Sequence, residues 1–149
     1  MYNRALVATD GSKSALGAVK FAKKMMIDGT IKSVTLIHVV EDLINWHNFS
    51  LINTKFNNEE EFNQFLAKKG MKALKQAEEI FTESGLTIDS VTRFGRPEEE
   101  IVRCAEKLQC DLIVIGNRGL SGIEGIVLGS TSKKIMHLAK MEVIVYKGK

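Results

Sequence analysis

Between residues 116 and 134 the chain reads GNRGLSGIEGIVLGSTSKK, directly after the apolar run DLIVIG. Glycine loses more conformational freedom on folding than any other residue, so glycines gathered here signal a sharp turn or a ligand lying close to the main chain. Gly129, Ser130, Thr131 and Ser132 lead into KKIMHLAK, in which Ile135, Met136 and Leu138 have helical spacing. A helix start presents N–H groups that lack intrahelical partners, together with the positive end of the helix dipole, and preceding hydroxyls add donors. This is chemistry for an anion. Lys133 and Lys134 fall in the first turn, where the dipole disfavours a cation by about 0.3–1 kcal/mol. A polyphosphate nearby would offset that cost. Taken alone, the same residues also read as a Ser130 N-cap followed by two solvated lysines. No lysine follows a glycine at P-loop spacing, and no G-x-G-x-x-G follows the first apolar run.

A second candidate lies far away in sequence, in TDGS at residues 9–12. Asp10 could meet a ribose or a metal. Ser12 reads as a helix N-cap, since neither a histidine nor a lysine is placed to make it a nucleophile. His38, His47 and His137 are too scattered for a metal site, and His38, inside an apolar run, reads as a core histidine. Cys104 and Cys110 stand six apart with no second pair, which suits reduced thiols better than zinc or a disulfide framework. The net charge of +3 is small and both signs are interspersed, so charge makes no case for nucleic acid. The N-terminus has no signal-peptide pattern and no run approaches a membrane span, so a soluble cytoplasmic protein with no membrane partner is expected.

The elements that must bring these segments together alternate in type. Residues 4–9, 33–40, 90–94, 111–116 and 142–146 are short and mostly rich in valine, isoleucine and leucine, and read as strands. Helical stripes lie between them: Ala15, Val19, Ala22 and Met26; then Phe62, Leu66, Met71, Leu74, Ala77 and Phe81; then Ile101, Val102, Ala105 and Leu108. Met25, Met26, Met71 and Met136 follow these faces and are expected in the core. Pro97 and Glu98–Glu100 suit the start of the third helix. At 149 residues the chain is expected to form one domain, 1–149, of α/β class. Its expected architecture is an open five-stranded parallel sheet with helices on both faces. With strand order 3-2-1-4-5, strands 1 and 4 flank the point where the order reverses, and ligands bind at the carboxyl ends there. TDGS and the glycine-rich stretch then meet at one crevice.

The spacing G-x2-G-x9-G-S, from Gly116 through Gly119 to Gly129 and Ser130, resembles the nucleotide-binding signature of the universal stress protein family. ALVATDGS, LIHVVE, GRPEEEIV and CDLIVIGNRGLSGIEGIVLGSTSKKI extend the resemblance, in order, over essentially the whole chain. It implies a Rossmann-like, adenine nucleotide alpha hydrolase-like fold and an ATP site with Mg2+. In that site Asp10 holds ribose or metal, Val39 meets adenine through its backbone, and Ile115 and Gly116 line the ribose side. Gly119, Gly129, Ser130 and Thr131 surround the phosphates. Ala8 and Thr9 beside Asp10, His38 beside Val39, Arg118 and Ser132 complete the implied set. Where many relatives open the last strand with proline, this chain has Glu142.

The function expected from this pattern is that of an ATP-binding regulatory protein of the stress response, with slow hydrolysis or none. The alternative is a magnesium-dependent ATPase or phosphotransferase working through Asp10, with Arg118 stabilising charge. The absence of a convincing base, arginine finger or second acidic metal ligand favours regulation. The resemblance also implies a homodimer joined through strand 142–146, with the regulated protein partner open. The connection 41–60 exceeds the usual 2 to 6 residues and, with Trp46, is a candidate lid.

Overall fold

The computed structural model describes residues 1–41, 58–117 and 128–148. The lid expectation for Trp46, and the site roles expected for Arg118 and Gly119, lie outside the described residues. Five strands, β1 (Tyr2–Ala8), β2 (Ile31–Val40), β3 (Asp89–Phe94), β4 (Leu112–Gly116) and β5 (Glu142–Tyr146), form one sheet in the order β3-β2-β1-β4-β5. Every pairing is parallel, and the register sets Val7 beside Leu36 on one side and Val114 on the other. The strand order, the element types and the covering of both sheet faces agree with the expectation.

Among the described residues, four helices cover the sheet: α1 (Lys13–Ile27), α2 (Glu59–Thr82), α3 (Pro97–Lys107) and α4 (Ser130–Leu138). Alternation along the strands sends Ala5, Val7, Leu36, Leu112 and Val114 to one face, where Ala18, Val19 and Ala22 of α1 and Leu74, Ala77 and Phe81 of α2 cover them. Leu6, Ile37, Ile113 and Ile115 point the other way, against Ile101, Val102 and Ala105 of α3 and Ile135 of α4. Ala5, Leu6, Val7 and Leu112–Val114 are 0% exposed, the signature of parallel strands buried on both faces. Each large aliphatic side chain so buried contributes about 1.5–3 kcal/mol relative to exposure.

Two helices carry their own N-terminal closures. Ser12 accepts the Ala15 N–H at 3.2 Å and Asn58 accepts the Glu61 N–H at 2.7 Å, each satisfying a donor the helix cannot. The methionine expectation holds only in part. Met25 is buried and Met26 packs against the core, but Met71 is 67% exposed and Met136 43% exposed. In α2 the buried stripe runs through Gly70, Ala73, Leu74, Ala77 and Phe81, so Gly70 takes the slot assigned to Met71. The reason is steric: a Cβ at Gly70 would sit 2.5 Å from Nε2 of His38, so the helix can lie against the sheet there only without a side chain. Cys104 and Cys110 are free and buried, and burial raises both thiols, Cys110 to about 11.

At the amino end of the sheet, the Asp111 carboxylate accepts the backbone N–H groups of Asn3 and Arg4 at 2.9 and 3.0 Å, pinning β1 to the entry of β4. Desolvation pushes this carboxyl up, but the N–H groups of Asn3, Arg4 and Asp111 itself together outweigh it and leave it below its ordinary value. A carboxyl depressed by folding stabilises the native state at pH values above its unfolded pKa, near 3.9, and that contribution disappears as pH falls through the lower folded value. The thermal midpoint of the wild type is therefore expected to fall more steeply than that of Asp111→Asn between about pH 4.5 and 2.5. Parallel pH profiles for the two proteins would remove this role.

Candidate functional site

Because β1 and β4 are adjacent and parallel, the segments leaving their carboxyl ends emerge side by side. The β1 side turns at once. Thr9 donates its N–H to the Ile37 carbonyl at 2.9 Å, prolonging the pairing with β2, and Thr9 is 2% exposed. Oδ1 of Asp10 then accepts the Ser12 N–H at 2.9 Å, and Gly11 takes φ +81°, a left-handed conformation that favours glycine. Ser12 is also the cap of α1, so the Asp10 turn and the first turn of α1 form one hydrogen-bonded unit.

His38 supports this turn from β2. Its Nδ1 lies 2.8 Å from the Thr9 carbonyl, and because a carbonyl only accepts, Nδ1 carries the proton and donates. The ring is half-buried, with its other edge against Gly70. The structure thus makes His38 a satisfied histidine that braces Thr9, next to the half-buried Val39. Ala8, half-buried, ends β1 beside them.

The β4 side is tighter. A Cβ on Gly116 would lie 2.5 Å from Oγ of Ser14 and 2.8 and 2.9 Å from the carbonyl carbon and oxygen of Ser14, so glycine is what lets β4 end against α1. Ile115, 4% exposed, packs into the core on the α3 and α4 face. Asn117, 6% exposed, donates its N–H to Ser14 Oγ at 2.9 Å and accepts the Ser14 hydroxyl on Oδ1 at 2.7 Å. Its carbonyl accepts the Gly129 N–H at 2.8 Å. Sequence reasoning did not reach Ser14 or Asn117, which are 103 residues apart.

α4 differs from the expected arrangement at its start. Gly129, not Ser130, is its N-cap, and no side chain caps it. Ser130 and Thr131 therefore stand in the first turn, exposed and half-buried, with Ser132 buried. The Ser132 hydroxyl donates to the Gly116 carbonyl at 2.9 Å, which fastens the helix to the end of β4. The Gly129 N–H is engaged with Asn117, so the donors this helix can offer a ligand are the N–H groups of Ser130, Thr131 and Ser132 and the hydroxyls of Ser130 and Thr131. Lys134 pairs with Glu98 of α3 at 3.4 Å, and Lys133 is exposed.

Negative charge also gathers near the Asp10 turn. Burial first, then the charges of Glu98 and Asp10, push the Glu41 carboxyl above its ordinary value. Among the described residues, no three His, Cys, Asp or Glu side chains form a group that could hold a metal ion. Asp10 alone suits Mg2+ in one respect: this ion commonly takes one or two carboxylates and completes its shell with phosphate oxygens and water. Such an ion would be carried by a bound phosphate and not caged by the protein. Among the described residues, no helix is long and apolar enough to cross a membrane.

The profile of the universal stress protein family matches residues 1–147. The chain belongs to the universal stress protein family. Within that family it is 31% identical to universal stress protein YxiE of Bacillus subtilis, over 97% of this chain and 99% of that one. Universal stress protein MJ0577 of Methanocaldococcus jannaschii is 28% identical, and its solved structure superposes with a TM-score of 0.75 while covering 100% of this chain and 98% of that one. A universal stress protein crystallised in complex with cAMP shares the fold at a TM-score of 0.69 and 24% identity, covering 97% of each chain. The five-stranded parallel order is thus that of universal stress proteins of known structure.

Proposed function

We propose that the protein binds an adenine nucleotide, ATP accompanied by Mg2+, in the crevice between the carboxyl ends of β1 and β4, and acts in the cytoplasm as a nucleotide-dependent regulator in the stress response. The observation that carries this reading is the open start of α4. The glycine cap supplies no side chain to fill it, whereas Ser12 and Asn58 close α1 and α2, and α3, which also lacks a side-chain cap, carries Pro97 and three glutamates in its first turn. It lies where the strand order reverses and opposite the Asp10 turn, which is where a phosphate chain and its ribose would need donors and a carboxylate. A universal stress protein of the same fold has been crystallised with cAMP, which supports an adenine ligand. Regulation is favoured over hydrolysis because the bond to Thr9 leaves only Nε2 of His38 to accept a proton, and that edge lies against Gly70 of α2. When bound, Mg2+ would neutralise phosphate charge beside Asp10.

Purification without added nucleotide, followed by mass spectrometry of what co-elutes and calorimetry with ATP, AMP and cAMP in the presence of Mg2+, tests this. Saturable binding with ATP preferred is expected. No co-eluting nucleotide and no heat with any of the three would end the proposal.

We further propose a homodimer through β5, which stands at the sheet edge. Val143 and Val145 pack toward the α3 and α4 core and Ile144 and Tyr146 toward the other, yet all four remain half-exposed. A second β5 paired antiparallel would cover them and satisfy the edge. Glu142 accepts the Tyr2 hydroxyl, so its charge is held back along the sheet and does not project freely from the edge. Light scattering at micromolar concentration is expected to give a dimer, and Ile144→Pro a monomer. A monomeric parent rejects the interface, and a dimeric variant moves it elsewhere.

A further inference from the structure

We propose that Ser14 and Asn117 are positioning residues that set phosphate affinity at this site, an inference that rests on the nucleotide reading above. The site is assembled from two segments that do not reach each other through the sheet: the Asp10 turn after β1 and the Gly129 cap of α4 after β4. The first turn of α1 joins them. On one side, Ser12 caps α1 while donating its N–H to Asp10 Oδ1 at 2.9 Å. On the other, two residues along, Ser14 Oγ accepts the Asn117 N–H at 2.9 Å and donates to Asn117 Oδ1 at 2.7 Å. Asn117 passes the connection on, since its carbonyl accepts the Gly129 N–H at 2.8 Å. A path of hydrogen bonds, carried between Ser12 and Ser14 by the backbone of the first turn of α1, therefore runs from the Asp10 carboxylate to the residue that opens α4.

The path governs orientation more than folding. The β1–β4 pairing and the two cores would persist without it, because none of their apolar contacts passes through Ser14 Oγ. What it fixes is the spacing between a carboxylate and a set of N–H donors, and such charge-assisted contacts weaken sharply with misplacement. Asn117 is 6% exposed, so loss of the hydroxyl leaves a buried N–H and amide oxygen without this partner, and the end of β4 must shift to find others. A shift there carries Gly129 with it.

The test compares Ser14→Thr with Ser14→Val, which share a branched shape and differ in the hydroxyl, so that any steric cost is common to both. Calorimetry with Mg·ATP and with adenosine, on proteins of matched circular dichroism, gives the readout. The expected result is that Ser14→Val binds Mg·ATP at least about tenfold more weakly than Ser14→Thr, while the two bind adenosine within about twofold, as for loss of one to two hydrogen bonds that serve only the phosphate end. Equal ATP affinities for the two variants, or equal losses for ATP and adenosine, overturn the positioning role and leave the nucleotide reading intact. A wild type that binds no ATP overturns both.

Discussion

Gly129→Val abolishes Mg·ATP binding and leaves the protein folded; this is the largest functional effect expected from a single substitution. Gly129 has φ −62° and ψ 157°, extended backbone that valine adopts without strain, and its N–H is held by Asn117 whatever the side chain. Folding should therefore lose only the difference between a glycine and a valine N-cap, about 1 kcal/mol. Binding is another matter. A branched side chain at the cap would stand beside the N–H groups of Ser130 and Thr131, where a phosphate oxygen must come within hydrogen-bond distance. Each charge-assisted bond prevented is worth about 1.5–3 kcal/mol, so losing two lowers affinity by at least about a hundredfold. Calorimetry on the variant, with its melting curve beside that of the wild type, is the measurement. Undiminished affinity in a folded variant would take the phosphates away from α4.

The largest stability effect is expected at Gly116→Ala. The added methyl meets the carbonyl carbon and oxygen of Ser14 at 2.8 and 2.9 Å, and backbone atoms in the first turn of a helix cannot rotate aside. Either α1 or the end of β4 must move, and overpacking of this kind costs about 1–3 kcal/mol. Because the Asn117 bonds to Ser14 are strained by the same movement, the upper part of that range is expected. Urea unfolding should show a lower midpoint with an unchanged slope. A midpoint equal to that of the wild type would mean that the approach of β4 to α1 is looser than these distances.

The elements were legible because their determinants are local, whereas the strand order came as an expectation beside the family resemblance. Five apolar runs, helical stripes between them and glycines at strand ends are read along the chain, and buried parallel strands leave few alternatives. TDGS and the start of the glycine-rich stretch do stand at the carboxyl ends of neighbouring strands, as that expectation has it. Details set by distant partners left no such mark. Gly70 occupies a core slot because of His38 on β2, so counting apolar residues passed over it and put Met71 inside. Lys134 looked solvated because its partner, Glu98, belongs to another helix. Ser130 looked like the cap of α4, but the helix begins one residue earlier, with Gly129 as its cap and the Gly129 N–H held by the Asn117 carbonyl. Ser14 and Asn117 drew no notice, since a serine in a first turn and an asparagine after a strand are ordinary until they are found bonded twice.

The Asn117–Gly129 bond also bears on how such a site can vary. The entropy cost of bringing two chain ends together grows only logarithmically with the length between them, by about 0.6 kcal/mol for each doubling. The tie between Asn117 and Gly129 holds its two anchor atoms at the end of β4 and the start of α4. The donors at the start of α4 thus stay where the sheet puts them.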